Sequence, residues 1–237
     1  MKQISRRSQG QLSDQIYELL KQRIVSGEMA PESQVSEVLL QEELGVSNTP
    51  VRRALKLLES EGLILIYPQF GTFVAPLSLQ AAEQAQFVRE HLECALIPDI
   101  VSRLDRRGED ELLLCLQRQR QAFADGDTSR FYELDEQLHA SFAALAGREG
   151  VGQIIRQQKV HLDRIRRVSL PIHDQISLLI GQHEAIVSAL IARDKIGAET
   201  ALRLHLREFF ATLERIKLPS ESVKTMTRRQ SNRPVVE

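Results

Sequence analysis

The chain has no tryptophan, only two cysteines and three methionines among 237 residues, and 5% aromatic residues. Two cysteines exclude a disulfide scaffold. Cys94 and Cys115 each stand in an apolar helical pattern and read as buried free thiols in a reducing compartment. No hydrophobic run approaches the roughly 20 residues that a membrane-spanning helix needs. Lys2, Arg6 and Arg7 have no apolar run behind them, which excludes a secretory signal. Together these absences imply a cytoplasmic protein with no membrane partner. A surplus of positive charge is missing too. The net charge is −1, and residues 1–77 hold 8 Lys/Arg against 9 Asp/Glu. A sequence-independent architectural DNA binder is therefore excluded. Any contact with nucleic acid must come from a local cluster, for which Arg6, Arg7, Arg52, Arg53 and Lys56 are the candidates.

What is present is helical periodicity, interrupted once. Leu12, Ile16, Leu19, Leu20 and Ile24 recur at helical spacing until Gly27. Ser36 can cap a short helix that ends at Gly45. Ser47 can cap the next helix, whose first turn tolerates Pro50. Val51, Ala54, Leu55 and Leu58 form the apolar stripe of that helix, and Gly62 ends it. The runs LILIY (63–67) and TFVA (72–75), separated by the turn PQFG, predict a β-hairpin. Three helices and a hairpin describe a winged helix-turn-helix over 11–76, preceded by a flexible basic arm over 1–10. From 79 to 216 only helical patterns occur, at about 79–95, 98–107, 109–125, 129–146, 150–169, 174–192 and 196–216. Pro98 breaks or kinks the first of these, and Pro171 punctuates a later one. The expected fold is mainly α: a winged domain followed by an all-α bundle of six or seven helices. The tail 219–237 has few large apolar residues and reads as disordered.

The polar face of the third helix carries Asn48, Thr49, Arg52 and Arg53, and no acidic residue follows until Glu59. A helix-turn-helix lays the N-terminal residues of its second helix against base edges. There Arg can pair with guanine and Asn with adenine. Residues 35–64 (VSEVLLQEELGVSNTPVRRALKLLESEGLI), followed by GTFV at 71–74, resemble the winged-helix domain of GntR-type bacterial transcription regulators. The usual pattern there is Val-Ser-Arg-Thr-Pro-Val-Arg-Glu-Ala-Leu. This chain has Asn48 in place of the first Arg and Arg53 in place of Glu, and Phe70 stands before the wing glycine where a basic residue is common. The resemblance implies a dimer on a palindromic double-stranded operator, with Ser47, Asn48, Thr49, Arg52, Arg53 and Gly71 facing DNA.

In the second region, Asp135 and His139 lie four apart and share one helix face. His183 and His205 are equidistant from residue 194, where the last two helical patterns part, so an antiparallel hairpin would set both imidazoles at one height. One carboxylate and three imidazoles suit a divalent transition metal, zinc first, with nickel, manganese or iron as alternatives. Residues 79–216 resemble the helical ligand domain of the FadR-type subgroup. That resemblance implies that Asp135, His139, His183 and His205 are metal ligands and that a small carboxylate metabolite is the effector. Gln182 stands where Glu often precedes the His, a change expected to act behind the ligand. Arg89 occupies a position where the subgroup often has an Arg facing the cavity, although an ion pair with Glu93 four residues on is an equal reading. His161 and Arg164 are further effector candidates. The reading is a metabolite-responsive repressor and not an enzyme. The alternative is a helical metalloenzyme with an accessory DNA-binding domain. That alternative needs a free carboxylate base, and Glu136 and Glu184 are turned about 100° from the neighbouring metal-ligand candidates.

Overall fold

The computed structural model describes residues 9–169 and 173–216. The predicted tail lies outside these residues, as does Pro171. So does the predicted arm, apart from Gln9 and Gly10, which already belong to the first helix. The chain divides into two compact units, one ending at Ser78 and the other starting at Leu79.

The first unit is built from α1 (Gln9–Ser26), β1 (Gln34–Val35), α2 (Glu37–Leu44), α3 (Asn48–Ser60), β2 (Ile64–Tyr67) and β3 (Gly71–Val74). Ile16, Leu20 and Ile24 of α1 and Val51, Ala54, Leu55 and Leu58 of α3 are buried in its core. Gly27, with φ +82, ends α1 in the left-handed conformation that glycine adopts without steric cost. The Ser36 side chain caps α2 by accepting from Leu39 N, and Gly45 closes that helix at φ 66. Ser47 occupies the N-cap of α3, but its side chain makes no capping hydrogen bond, which corrects the expected cap. The hairpin pairs Leu65 with Phe73. A third strand, β1, pairs Val35 with Thr72, so the sheet order is β1-β3-β2. Two residues carry no alternation, so no sequence pattern could announce that strand.

The second unit holds α4 (Leu79–Arg103), α5 (Arg106–Ala124), α6 (Thr128–Leu145), α7 (Glu149–Gln158), α8 (Val160–Ser169), α9 (His173–Ile191) and α10 (Lys195–Ile216). Two boundaries differ from expectation. Helix α4 runs through Pro98 unbroken, because the proline lies on the exposed side while Leu96, Ile97, Ile100 and Val101 hold the buried side in place. The predicted helix 150–169 is divided at Lys159 into α7 and α8. Aspartates start three helices: Asp105 accepts from Gly108 N at 2.8 Å, Asp127 from Arg130 N at 2.9 Å and Asp194 from Gly197 N at 2.9 Å. Each such cap stabilises its helix by about 1 kcal/mol. The core joins Leu96, Ile97 and Ile100 of α4 to Leu112 and Leu116, Leu138 and Phe142, Ile186 and Leu190, and Leu202 and Leu206. Cys94 is buried as expected, whereas Cys115 is half-buried. No helix among the described residues is long and apolar enough to cross a membrane.

Candidate metal centre and nucleic-acid interface

On α3 the apolar stripe faces the core and the opposite face is open. Ser47, Thr49, Arg52 and Arg53 are exposed, and Asn48 and Gly71 are half-buried. Arg52 has an acidic partner that its own helix does not supply. Its Nε donates to Glu37 Oε2 of α2 at 2.9 Å, while the side chain remains 67% exposed. The pair leaves the terminal guanidinium nitrogens for other acceptors. Gly71 opens β3 at φ +115, a conformation that L side chains rarely adopt, and Phe70 beside it is 60% exposed at the hairpin tip.

In the bundle, α6, α9 and α10 bring Asp135, His139, His183 and His205 together, with one ligand atom from each lying within 4.8 Å of the others. All four side chains are buried. His139 Nε2 stands 3.1 Å from His205 Nε2, and His183 Nε2 stands 3.3 Å from the same atom. Asp135 Oδ1 lies 3.3 Å from His183 Nε2 yet accepts no hydrogen bond. The other carboxylate oxygen, Oδ2, accepts from Arg166 Nη2 of α8 at 2.6 Å.

The far nitrogen of every ring faces an acceptor. His139 Nδ1 is 2.6 Å from Glu93 Oε2, His183 Nδ1 is 2.8 Å from Gln119 Oε1 and His205 Nδ1 is 3.0 Å from Gln182 Oε1. The Gln119 amide is itself oriented, since its Nε2 donates to Leu134 O at 3.2 Å. Acceptors on all three sides fix the proton of each neutral imidazole on Nδ1. The three Nε2 lone pairs and Asp135 Oδ1 then converge with no donor among them. A proton on one ring would satisfy only one neighbour. Burial also opposes that charge: it lowers the proton affinity of His139 despite Glu93, and lowers that of His205 well below the ordinary value, with His183 and His139 adding to the effect. Burial alone would raise the Asp135 carboxyl, but Arg166 and the neighbouring histidines hold it well below the usual range. Four buried acceptors facing one point could hold a divalent metal. The Nε2 separations match two ligands each about 2.0–2.1 Å from one ion.

Gln119 and Arg166 were not among the residues singled out from sequence, and Glu93 was read only as the i+4 partner of Arg89. Each reaches the ligand candidates from another helix, so no local spacing could have announced that contact. Arg89 Nε donates to Glu93 Oε1 at 2.7 Å, with both side chains nearly inaccessible, and Arg89 Nη2 has no hydrogen-bond partner. Arg89 and His139 outweigh burial and keep the Glu93 carboxyl at about 2. Beside this chain of contacts lies a cavity of about 250 Å³, lined in part by Arg89, Glu93, Glu136, His139, Arg156 and Lys159. Arg164 is buried, which lowers its guanidinium to about 10, and His161 is half-buried; neither lines the cavity. From the same stretch of chain, Lys159 does line it, pairing with Glu136 and, at 2.7 Å, with Asp163. Glu136 also pairs with Arg166, and Glu184 pairs with Arg120, so the two carboxylates adjacent in sequence to the ligand candidates Asp135 and His183 are engaged in ion pairs.

Two family profiles match the chain: that of the bacterial regulatory proteins of the gntR family over residues 12–74, and that of the FCD domain over residues 84–208. An uncharacterized HTH-type transcriptional regulator in an unstable DNA locus of Streptomyces ambofaciens is 37% identical over 207 residues, 86% of each chain. The HTH-type transcriptional repressor RspR of Escherichia coli K12 is 31% identical over 206 residues, 87% of this chain and 90% of its own. Among solved structures, E. coli McbR/YncC shares the fold with a TM-score of 0.73 at 22% identity, covering 87% of this chain and 99% of its own. These domains and relatives are transcriptional regulators and not enzymes, which sets aside the metalloenzyme alternative. With a gntR winged helix-turn-helix followed by an FCD effector-binding domain, the chain belongs to the GntR family of bacterial transcriptional regulators.

Proposed function

We propose that the protein is a cytoplasmic, homodimeric repressor whose hold on a palindromic operator is controlled by a small organic acid bound beside a metal. In this reading residues 11–76 bind DNA, and residues 79–216 bind the effector and carry the dimer contacts. Asn48, Thr49, Arg52 and Arg53 enter the major groove, with Arg52 reading a base and Arg53 touching phosphate. Ser47 and Gly71 approach the backbone. Asp135, His139, His183 and His205 hold the metal, zinc first. When bound, it supplies a fixed positive centre that attracts the carboxylate of the effector. Arg89 donates to that carboxylate from inside the cavity. Glu93, Gln119 and Gln182 keep the three rings in the tautomer that presents Nε2. Arg164 and His161, away from the cavity lining, serve at most the surroundings of the effector.

The observation that carries this reading is the convergence of three Nε2 atoms on rings whose Nδ1 atoms all face oxygen acceptors. Elemental analysis of untagged protein should find about one divalent metal per chain. His205→Ala should lose the metal and the effector response while still binding operator DNA. Wild-type protein that carries no metal, and that gains no thermal stability from Zn, Ni or Mn, would sink the proposal.

A further inference from the structure

The walls of the cavity beside His139 carry an uneven stock of unused polar groups. Its two carboxylates are spent inside the protein: Glu93 on Arg89 and His139, Glu136 on Arg166 and Lys159. Lys159 is spent as well, on Glu136 and on both oxygens of Asp163. Two cationic groups remain. Arg89 is 3% exposed, with its Nη2 buried and unpartnered, and so marks the inner end. Arg156, on α7, is exposed at the rim and has no carboxylate partner among the described residues. The wall also includes the apolar groups of Ala140, Gly152 and Ile155. A cavity of about 250 Å³ equals roughly eight water molecules at their share of the liquid, which is room for a short chain.

We infer that the cavity takes a short dicarboxylate, with one carboxylate on Arg89 and the other on Arg156, and its methylenes against Ala140, Gly152 and Ile155. The inference rests on reading this cavity as the effector site. It adds the second anionic group and the residue that selects for it. A monoacid of the same length would leave Arg156 without a counter-charge and would place an apolar end at the wet rim.

Isothermal titration of full-length, zinc-loaded protein separates the cases. Malonate, succinate and glutarate are compared with propionate, butyrate and valerate, which match them in carbon number. At least one diacid should bind ten or more times tighter than its monoacid partner, and Arg156→Gln, an exposed change that spares the core, should cut that preference below twofold. Equal affinities within every pair, or a preference that survives Arg156→Gln, overturn the inference and leave the carboxylate reading of the cavity standing. Binding of none of the six acids overturns both.

Discussion

Replacing Gln119 by Leu tests the tautomer argument without touching a candidate ligand. Gln119 is fully buried on α5 and its Oε1 is, among the described residues, the group found on His183 Nδ1. Leucine keeps the approximate volume but removes the acceptor, so the Nδ1 proton of His183 is stranded or moves to Nε2, where it blocks the lone pair. Loss of such an outer contact weakens metal binding about 10- to 100-fold. That corresponds to about 1.4–2.7 kcal/mol. Leu134 O also loses its Gln119 donor while keeping Cys115 Sγ at 3.4 Å, and a lost hydrogen bond of this kind costs about 0.5–1.5 kcal/mol, so the metal-free protein should soften slightly as well. The two effects separate when melting is measured in excess zinc and in chelator. At fixed free zinc the metal-dependent rise in Tm should shrink by about 3–11 °C, from about 2–4 °C per kcal/mol for a chain of this size. Competition with a zinc-binding dye gives the affinity directly. Gln121→Leu, an exposed change on the same helix, should leave both quantities in place. Zinc affinity in Gln119→Leu equal to that of wild type would refute the claim that the Nδ1 acceptors prepare the centre.

Two further predictions concern DNA and protons. Arg52→Ala should abolish specific operator binding with the fold intact, whereas Arg53→Ala should weaken all sequences alike and lower the salt slope by about one; normal operator affinity in Arg52→Ala would remove α3 from the groove. In acid, the buried rings of His139 and His205 resist protonation below the ordinary value of 6.5, so the unfolded chain takes up protons that the folded chain does not. Stability of the metal-free protein should therefore fall as pH drops from about 7 to 5, and metal affinity should fall over the same range. Glu93 has the opposite history: its folded value of about 2 lies below the ordinary 4.5, so its stabilising contribution is intact above 4.5 and disappears only as pH falls toward about 2. Denaturant midpoints across pH check the sign, and a flat profile between 7 and 5 that His205→Gln leaves unchanged would contradict it.

The helix order and the apolar stripes were legible because each depends on neighbours three or four residues away. The meeting of Asp135, His139, His183 and His205 was legible for a related reason: one pair shares a helix face, and the other is symmetric about a helix break. The failures mark where local rules yield to packing. Pro98 should end a helix by its own chemistry, yet α4 continues because the apolar groups around it are buried. The division at Lys159 runs the other way: the apolar period passes through it smoothly, but a buried ammonium that bridges Glu136 of α6 and Asp163 of α8 occupies the break. The pair with Asp163 has helical i,i+4 spacing, but the pair with Glu136 joins separate helices and has no sequence signature.

Arg89 shows how two sequence readings that look exclusive can both hold. An ion pair with Glu93 at i+4 and a group facing the cavity were offered as alternatives, as though one guanidinium had one contact to give. It has five donors in a rigid plane. Spending Nε on Glu93 fixes that plane, and Nη2 is left buried beside the cavity without a partner. The same carboxylate faces His139 Nδ1 at 2.6 Å, so the helical spacing that made the pair look structural also orients a ring of the candidate metal centre. The ion pair therefore holds both neighbours: the guanidinium in the wall of the cavity, and the imidazole with its Nε2 beside His205.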